Sequence, residues 1–208
     1  IISGLYVKLG QTYRCGHNGR SVILPECFTS SHTAMLFTDA SGSISFAGVL
    51  NTEWFAFRWD TVPEFDHHQI AIKELFPIVL ALKIWGRFLE NKKILFMSDN
   101  AAVVYVINKQ SSKEKTLMKL VRRLVPKSLT HNIFFKAKHI LGKTNILADK
   151  LYRFQLHDAF IAAPHLNPIP TVVPVELLKN YVQCAVNYYH HPCHSHQSMP
   201  IGTRGICF

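Results

Sequence analysis

Residues 70–89 limit what this chain can fold into more than any other stretch. Ala71, Leu75, Ile78, Leu82, Trp85 and Leu89 recur at helical spacing, so the segment reads as a helix that needs a core to lie against. Strand-like runs stand on both sides of it. Residues 34–39, 46–50 and 54–59 read as three strands in succession, the last two separated by Asn51 and Thr52, which suggests an antiparallel meander. Residues 94–98 and 133–138 read as two more short strands. Between them, 101–108 and 114–125 read as helices, the second stopped by Pro126. In the last strand Lys136 and Lys138 share one face while Phe135 and Ala137 share the other. Residues 144–154 read as a final helix with Thr144 as its N-cap. Strands interleaved with helices place the chain in the α/β class.

The composition sets the kind of partner. With 208 residues and 48% hydrophobic content, the chain can bury a real core, which excludes global disorder. Its 23 Lys and Arg against 13 Asp and Glu give a formal net charge of +10 and a pI near 9.5. That balance favours a polyanion, most simply nucleic acid. No membrane segment is expected, because Lys73, Glu74, Lys83 and Arg87 interrupt the longest apolar region. The chain begins at Ile1 with no signal-peptide pattern, and is expected to be a fragment or a piece of a polyprotein. Five cysteines at irregular spacing do not resemble a disulfide framework, so an intracellular, reducing location (cytoplasmic, nuclear or both) is expected.

Within this basic chain a few acids stand where acids are costly. Asp39 ends the first strand, and Asp99 ends a later strand just before a helix. Strand ends of an open α/β sheet are where sites form, so the two can be neighbours. Glu74 lies between Ile70 and Ile78 on the helical stripe, and an unpaired carboxylate there is expensive. Asp149 lies in the first turns of the last helix, after the Gly142 loop. Clustered carboxylates repel, and two Mg²⁺ ions about 3.5–4 Å apart would neutralise them while clamping an attacking water and a leaving oxygen. His139, at a strand end, reads as a proton shuttle or product-release residue beside such metals, or as an ordinary loop histidine.

At these residues the chain resembles the ribonuclease H domain of retroelement reverse transcriptases, most like those of DIRS-like elements and then Gypsy-like ones. The likeness is carried by Phe37-Thr38-Asp39-Ala40-Ser41, by Glu74 with Ile78 to Leu82, by Ser98-Asp99-Asn100-Ala101, and by His139 to Asn145 followed by Asp149 to Arg153. It covers about residues 34–155. The resemblance implies a ribonuclease H-like fold: a five-stranded mixed sheet flanked by helices. It implies Asp39, Glu74, Asp99 and Asp149 as metal-binding acids, His139 near the scissile phosphate, and Mg²⁺ (two ions, with Mn²⁺ as substitute) as cofactor. It implies cleavage of the RNA strand of an RNA–DNA hybrid, leaving a 3′-hydroxyl, with the 2′-hydroxyl distinguishing the strands. It also implies a polymerase domain and a tyrosine recombinase as partners in the parent polyprotein. Asn18 to Ser21 is similar to the connector from that polymerase, and Ile169-Pro170 to the linker toward that recombinase.

The expected organisation is a connector over 1–33, the ribonuclease H-like domain over 34–156, a Pro-rich linker over 157–183, and a disordered His- and Cys-rich tail over 184–208. In that tail His190, His191, Cys193, His194 and His196 match no common zinc spacing. Ser41, Asn100, Arg122, Arg123, Lys136, Lys138, Lys143 and Asn145 are the candidate nucleic-acid contacts. Pro77 inside the long helix predicts a kink beside Glu74. Lys150, directly after Asp149, is placed either to contact phosphate or to compete for the metal site. A catalytically degenerate nucleic-acid-binding or connector domain, from a decayed element copy, is the alternative reading.

Overall fold

The computed structural model describes residues 33–61 and 68–173, together with 13–14, 21–22 and 178. Strands β1 (Thr33–Ala40), β2 (Ser45–Leu50) and β3 (Glu53–Arg58) form the expected meander. β1 pairs antiparallel with β2 from Leu36↔Leu50 to Ala40↔Phe46, and β2 pairs antiparallel with β3 up to Leu50↔Glu53. Only Asn51 and Thr52 remain for the turn, and Asn51 takes φ 56°, which asparagine tolerates better than most residues. β4 (Lys93–Ser98) joins β1 in parallel and β5 (Phe134–His139) joins β4 in parallel. The order is therefore β3-β2-β1-β4-β5, a mixed five-stranded sheet with helices on its faces, as expected.

Parallel neighbours need crossovers. Helix α1 (Ile70–Trp85) returns the chain from β3 to β4, and α2 (Ala101–Lys109) with α3 (Lys115–Thr130) returns it from β4 to β5. α1 is buried nearly all round because the sheet covers one side and α3 the other. Leu36, Phe46 and Phe55 from the sheet, Trp59 from the turn after β3, Leu75, Phe76 and Leu82 from α1, and Leu117, Leu120 and Leu124 from α3 share the main core. α4 (Ile146–Tyr152) and α5 (Leu156–Ala162) cover the opposite face, where Leu151, Tyr152, Ala159, Ala163 and Leu166 pack on Ala47, Val49 and Trp54.

Several sequence expectations need correction. Pro126 does not stop α3, which continues to Thr130. Its ring is exposed, the carbonyl it deprives belongs to exposed Arg122, and the buried face continues past it to Ser128, whose hydroxyl donates to the Leu124 carbonyl. α1 for its part runs through Pro77 as one helix, Ile70–Trp85. Thr144 does not cap the last helix. It sits in a short 3-10 turn, Gly142–Thr144, its hydroxyl donates to the Leu141 carbonyl (2.7 Å), and α4 starts after Asn145.

The Pro-rich linker expected from residue 157 is, over 157–173, part of the folded unit. After α5, Asn167 N–H donates to the Thr52 carbonyl (2.8 Å), Thr171 N–H donates to the Trp54 carbonyl (2.7 Å), and the Trp54 indole N–H donates to the Asn167 carbonyl (2.7 Å). Prolines withdraw donors but leave carbonyls and intervening residues free to bond an edge strand. Val173 and Leu178 reach the main core. Among residues of the expected connector, Tyr13–Arg14 and Ser21–Val22 form a two-residue antiparallel pair. The His- and Cys-rich tail, the five cysteines, and the rest of the connector and linker lie outside the described residues. Among the described residues no helix is long and apolar enough to cross a membrane.

Candidate metal centre

The sheet brings Asp39 and Asp99 together by register. β1 and β4 run parallel and adjacent, so both strands end on the same side of the molecule. α1 enters over that side, which places Glu74 in its second turn beside them. One carboxylate oxygen from each of Asp39, Glu74 and Asp99 lies within 4.8 Å of the other two. Asp39 and Glu74 are buried, at 8% and 4% exposure.

The electrostatics follow from that crowding. Burial first, then the Asp99 charge, pushes the Asp39 carboxyl up to about 7, against a backbone N–H from Ala40 (2.8 Å) that pulls it down. Burial, then Asp39 and Asp99, pushes Glu74 up to about 9. Glu74 Oε2 is buried without a hydrogen-bond partner among the described residues. A set of hard, mutually repelling oxygens with one left unsatisfied fits a divalent cation of the Mg²⁺ type.

Asp149 stands at the rim of this group. It lies in α4, and its Oδ1 accepts from Arg153 Nε at 2.9 Å, an i,i+4 pair. Its charge still reaches Asp39 and raises it, while Arg153 acts the other way. The Tyr152 hydroxyl, raised to about 12 by burial and by Asp149, belongs to the same neighbourhood. Lys150 is turned to α5, where its ammonium meets Asp158 Oδ2 at 3.4 Å.

His139 ends β5 opposite Ser98 and is exposed. Its Nε2 lies 2.9 Å from the Asp99 carbonyl oxygen. A carbonyl can only accept, so Nε2 carries the proton and Nδ1 is left as the ring's acceptor in the neutral form. Gly142 closes the loop over Asp99: a Cβ built there would lie 3.0 Å from Asp99 Oδ2.

The candidate nucleic-acid contacts divide by position. Lys138 and Lys143 are exposed at the end of β5 and in the turn after it, on the side of the acids. Lys136 pairs with Leu95, further down the strand. Arg122 and Arg123 lie mid-way along α3, whose apolar face packs on α1. Asn100 caps α2, its Oδ1 accepting from Ala102 and Val103 N–H (3.1 and 3.2 Å). Asn145 is 1% exposed and its Nδ2 donates to the Thr38 carbonyl (2.9 Å), so it ties the turn to β1 instead of facing outward. The Ser41 hydroxyl accepts from Ile44 and Ser45 N–H (2.7 and 2.9 Å) and donates to the Ser45 carbonyl (3.3 Å), which occupies it within its own loop.

Sequence reasoning did not single out Lys73 or Trp59. Trp59 donates its indole N–H to the Ser41 carbonyl (2.9 Å), and Lys73, 1% exposed, donates to the Gly42 carbonyl. The available signal was a lysine directly beside Glu74, in the apolar first half of the helix.

No family model matches the chain, and no curated protein matches it. Among solved structures it is similar to ribonuclease H1 from the halophilic archaeon Halobacterium salinarum NRC-1, with 16% identity and a TM-score of 0.44 over 61% of this chain and 98% of that one. It is also similar to the N-terminal ribonuclease H domain of rv2228c from Mycobacterium tuberculosis, with 15% identity and a TM-score of 0.46 over 64% and 99% of the two chains. A third is LC11-RNase H1, isolated from compost by a metagenomic approach, with 16% identity and a TM-score of 0.42 over 62% and 99%.

Proposed function

We propose that this chain is a divalent-metal-dependent endonuclease that hydrolyses the RNA strand of RNA–DNA hybrids. The observation that carries the reading is the convergence of buried Asp39 and Glu74 with half-buried Asp99, with Glu74 Oε2 unpartnered among the described residues. Such a site is costly without a cation, and it stands in a chain of net charge +10 that favours a polyanion. The motifs around the acids resemble those of retroelement ribonuclease H domains, which supplies the substrate class.

Asp39, Glu74 and Asp99 would hold the metal, with Asp149 joining once its bond to Arg153 opens. Two bound Mg²⁺ ions would supply an activated water and charge stabilisation for the leaving oxygen. Glu74, whose carboxyl burial and the neighbouring Asp39 and Asp99 push up to about 9, would give up its proton to serve as a ligand, so metal binding would release a proton. His139, held by Nε2 on the Asp99 carbonyl, presents Nδ1 to accept and release a proton near the leaving group. Lys138 and Lys143 take the phosphates that flank the cut. The parent protein is an intracellular retrotransposon polyprotein, cytoplasmic or nuclear, with a polymerase domain and a tyrosine recombinase.

The test is incubation of the chain with an end-labelled RNA–DNA hybrid and Mg²⁺ or Mn²⁺, beside an Asp99→Asn variant. Cleavage of the RNA strand by the wild type alone, stopped by a chelator, is the expected result. Salt-dependent binding with no cleavage under either metal would select the degenerate, non-catalytic alternative. Absence of both would sink the reading.

A further inference from the structure

Lys73 is a fully buried lysine outside the acid cluster, and burying an ammonium is expensive unless its donors are used. It is used on the loop between β1 and β2, which directly follows Asp39. Its Nζ donates to the Gly42 carbonyl and lies 5.4 Å from the centre of the Trp59 ring, a cation–π distance. The same Trp59 holds the preceding carbonyl, that of Ser41, through its indole N–H. Two successive carbonyls are thus drawn into the protein by two buried side chains.

A trans peptide points its N–H opposite to its C=O, and no peptide here is cis. Drawing in the Ser41 carbonyl turns the Gly42 N–H outward, and drawing in the Gly42 carbonyl turns the Ser43 N–H outward. The other donors of the loop are occupied: Ser41 N–H by the Ser45 carbonyl, and Ile44 and Ser45 N–H by the Ser41 hydroxyl. Among the described residues the Gly42 and Ser43 N–H groups have no acceptor, both residues are exposed, and nothing lies within 4 Å of a Cβ built on Gly42. The result is a fixed pair of backbone donors facing open space, three and four residues after Asp39.

We propose that Lys73 is a positioning residue: by holding the Gly42 carbonyl inward, with Trp59 on Ser41, it presents the Gly42 and Ser43 N–H groups to sugar or phosphate oxygens of the strand bound at the acid cluster. This rests on the proposed function, since it assumes a nucleic-acid strand over the site. Lys73 acts on binding of that strand and not on the metal, because it holds the loop and contributes no oxygen to the acid cluster.

The test compares wild type, Lys73→Met, Trp59→Phe and the double variant in the full chain. Met keeps the length of the side chain and removes the ammonium; Phe keeps a ring and removes the indole donor. Hybrid affinity is read by fluorescence anisotropy in Ca²⁺, steady-state cleavage in Mg²⁺, and Mn²⁺ affinity by calorimetry on the protein alone. The expected result for Lys73→Met is hybrid Kd and KM raised roughly tenfold, the scale of one or two lost hydrogen bonds, with Mn²⁺ affinity unchanged. Trp59→Phe should shift the same parameters, and the double variant should lose less than the product of the two, since both tethers hold one loop. Unchanged hybrid Kd and KM in both folded single variants would overturn the role of Lys73 while leaving the proposed function standing. A loss of Mn²⁺ affinity that matches the loss of cleavage would overturn it too, by placing the effect at the acids. If Lys73→Met does not fold, Trp59→Phe alone decides by the same criteria. A wild type that neither binds nor cleaves hybrid overturns the proposed function itself, and this inference with it.

Discussion

Replacing Glu74 by Gln should stabilise the metal-free protein at neutral pH. In the unfolded chain this carboxyl titrates near 4.5; folded without metal it titrates near 9. Between those values the native state holds a proton that the unfolded state has lost, so unfolding becomes easier as pH rises, by about 1.4 kcal/mol per pH unit. The native stability linked to this group is therefore fully present below pH 4.5 and declines until pH 9. At pH 7 the interval above 4.5 is 2.5 units, a cost of about 3 kcal/mol. Gln is neutral in both states, nearly isosteric with the protonated acid, and avoids that cost. Asp39, raised to about 7 by burial and then by neighbouring acids, gives a second slope of the same sign, and the two are coupled and do not add. Urea unfolding in EDTA, followed by fluorescence of buried Trp54, Trp59 and Trp85, measures this from pH 5 to pH 9. The gap between Glu74→Gln and wild type should grow from under about 1 kcal/mol at pH 5 to about 3 kcal/mol at pH 7. Saturating Mg²⁺ should shrink it by stabilising only the wild type. A wild type whose stability is flat or rises across this window, or a Gln variant less stable at pH 7, would refute the reasoning.

Gly142→Ala should leave the melting temperature nearly unchanged but weaken Mn²⁺ binding several-fold by calorimetry, because the new Cβ would stand 3.0 Å from Asp99 Oδ2. Asn108→Ala should cost about 1–3 kcal/mol in urea unfolding, since Asn108 donates to the Ala137 carbonyl and accepts from its N–H, both at 2.8 Å, on edge strand β5. A chain ended at residue 155 should lose about 3 kcal/mol or more relative to one ended at 178, because it strips Ala159, Ala163 and Leu166 from Trp54 and Val49; equal unfolding midpoints would show that the 157–173 segment is a dispensable linker after all.

The legibility of the chain in its sequence differs by element. The meander was readable because each strand is short, apolar and bounded by turn residues, and Asn51-Thr52 leaves room for little but a two-residue hairpin. Glu74 was readable because an acid on an apolar stripe is an anomaly whatever the fold. Pro126 misled because its local cost is real, but a helix packed along its length on α1 outweighs one missing hydrogen bond on the solvent side. The Pro-rich stretch after α5 misled for a related reason. Its composition says that it forms no helix or inner strand, and says nothing of whether Trp54 and β3 hold it down.

The sequence by itself therefore determined the element types, the α/β class, the excess positive charge and the identity of the anomalous acids, because periodicity and charge are local properties of the chain. Only the tertiary structure decided which of those acids meet. Parallel pairing of β1 with β4 brings Asp39 beside Asp99, and the approach of α1 adds Glu74, whereas Asp149, paired with Arg153 on α4, is not among the acids that converge. Tertiary structure also decided that Asn145 turns inward to the Thr38 carbonyl, and that Lys73 reaches thirty-one residues back to Gly42. Hydrogen bonds and desolvation depend on what surrounds a group in space, and no spacing along the chain specifies that.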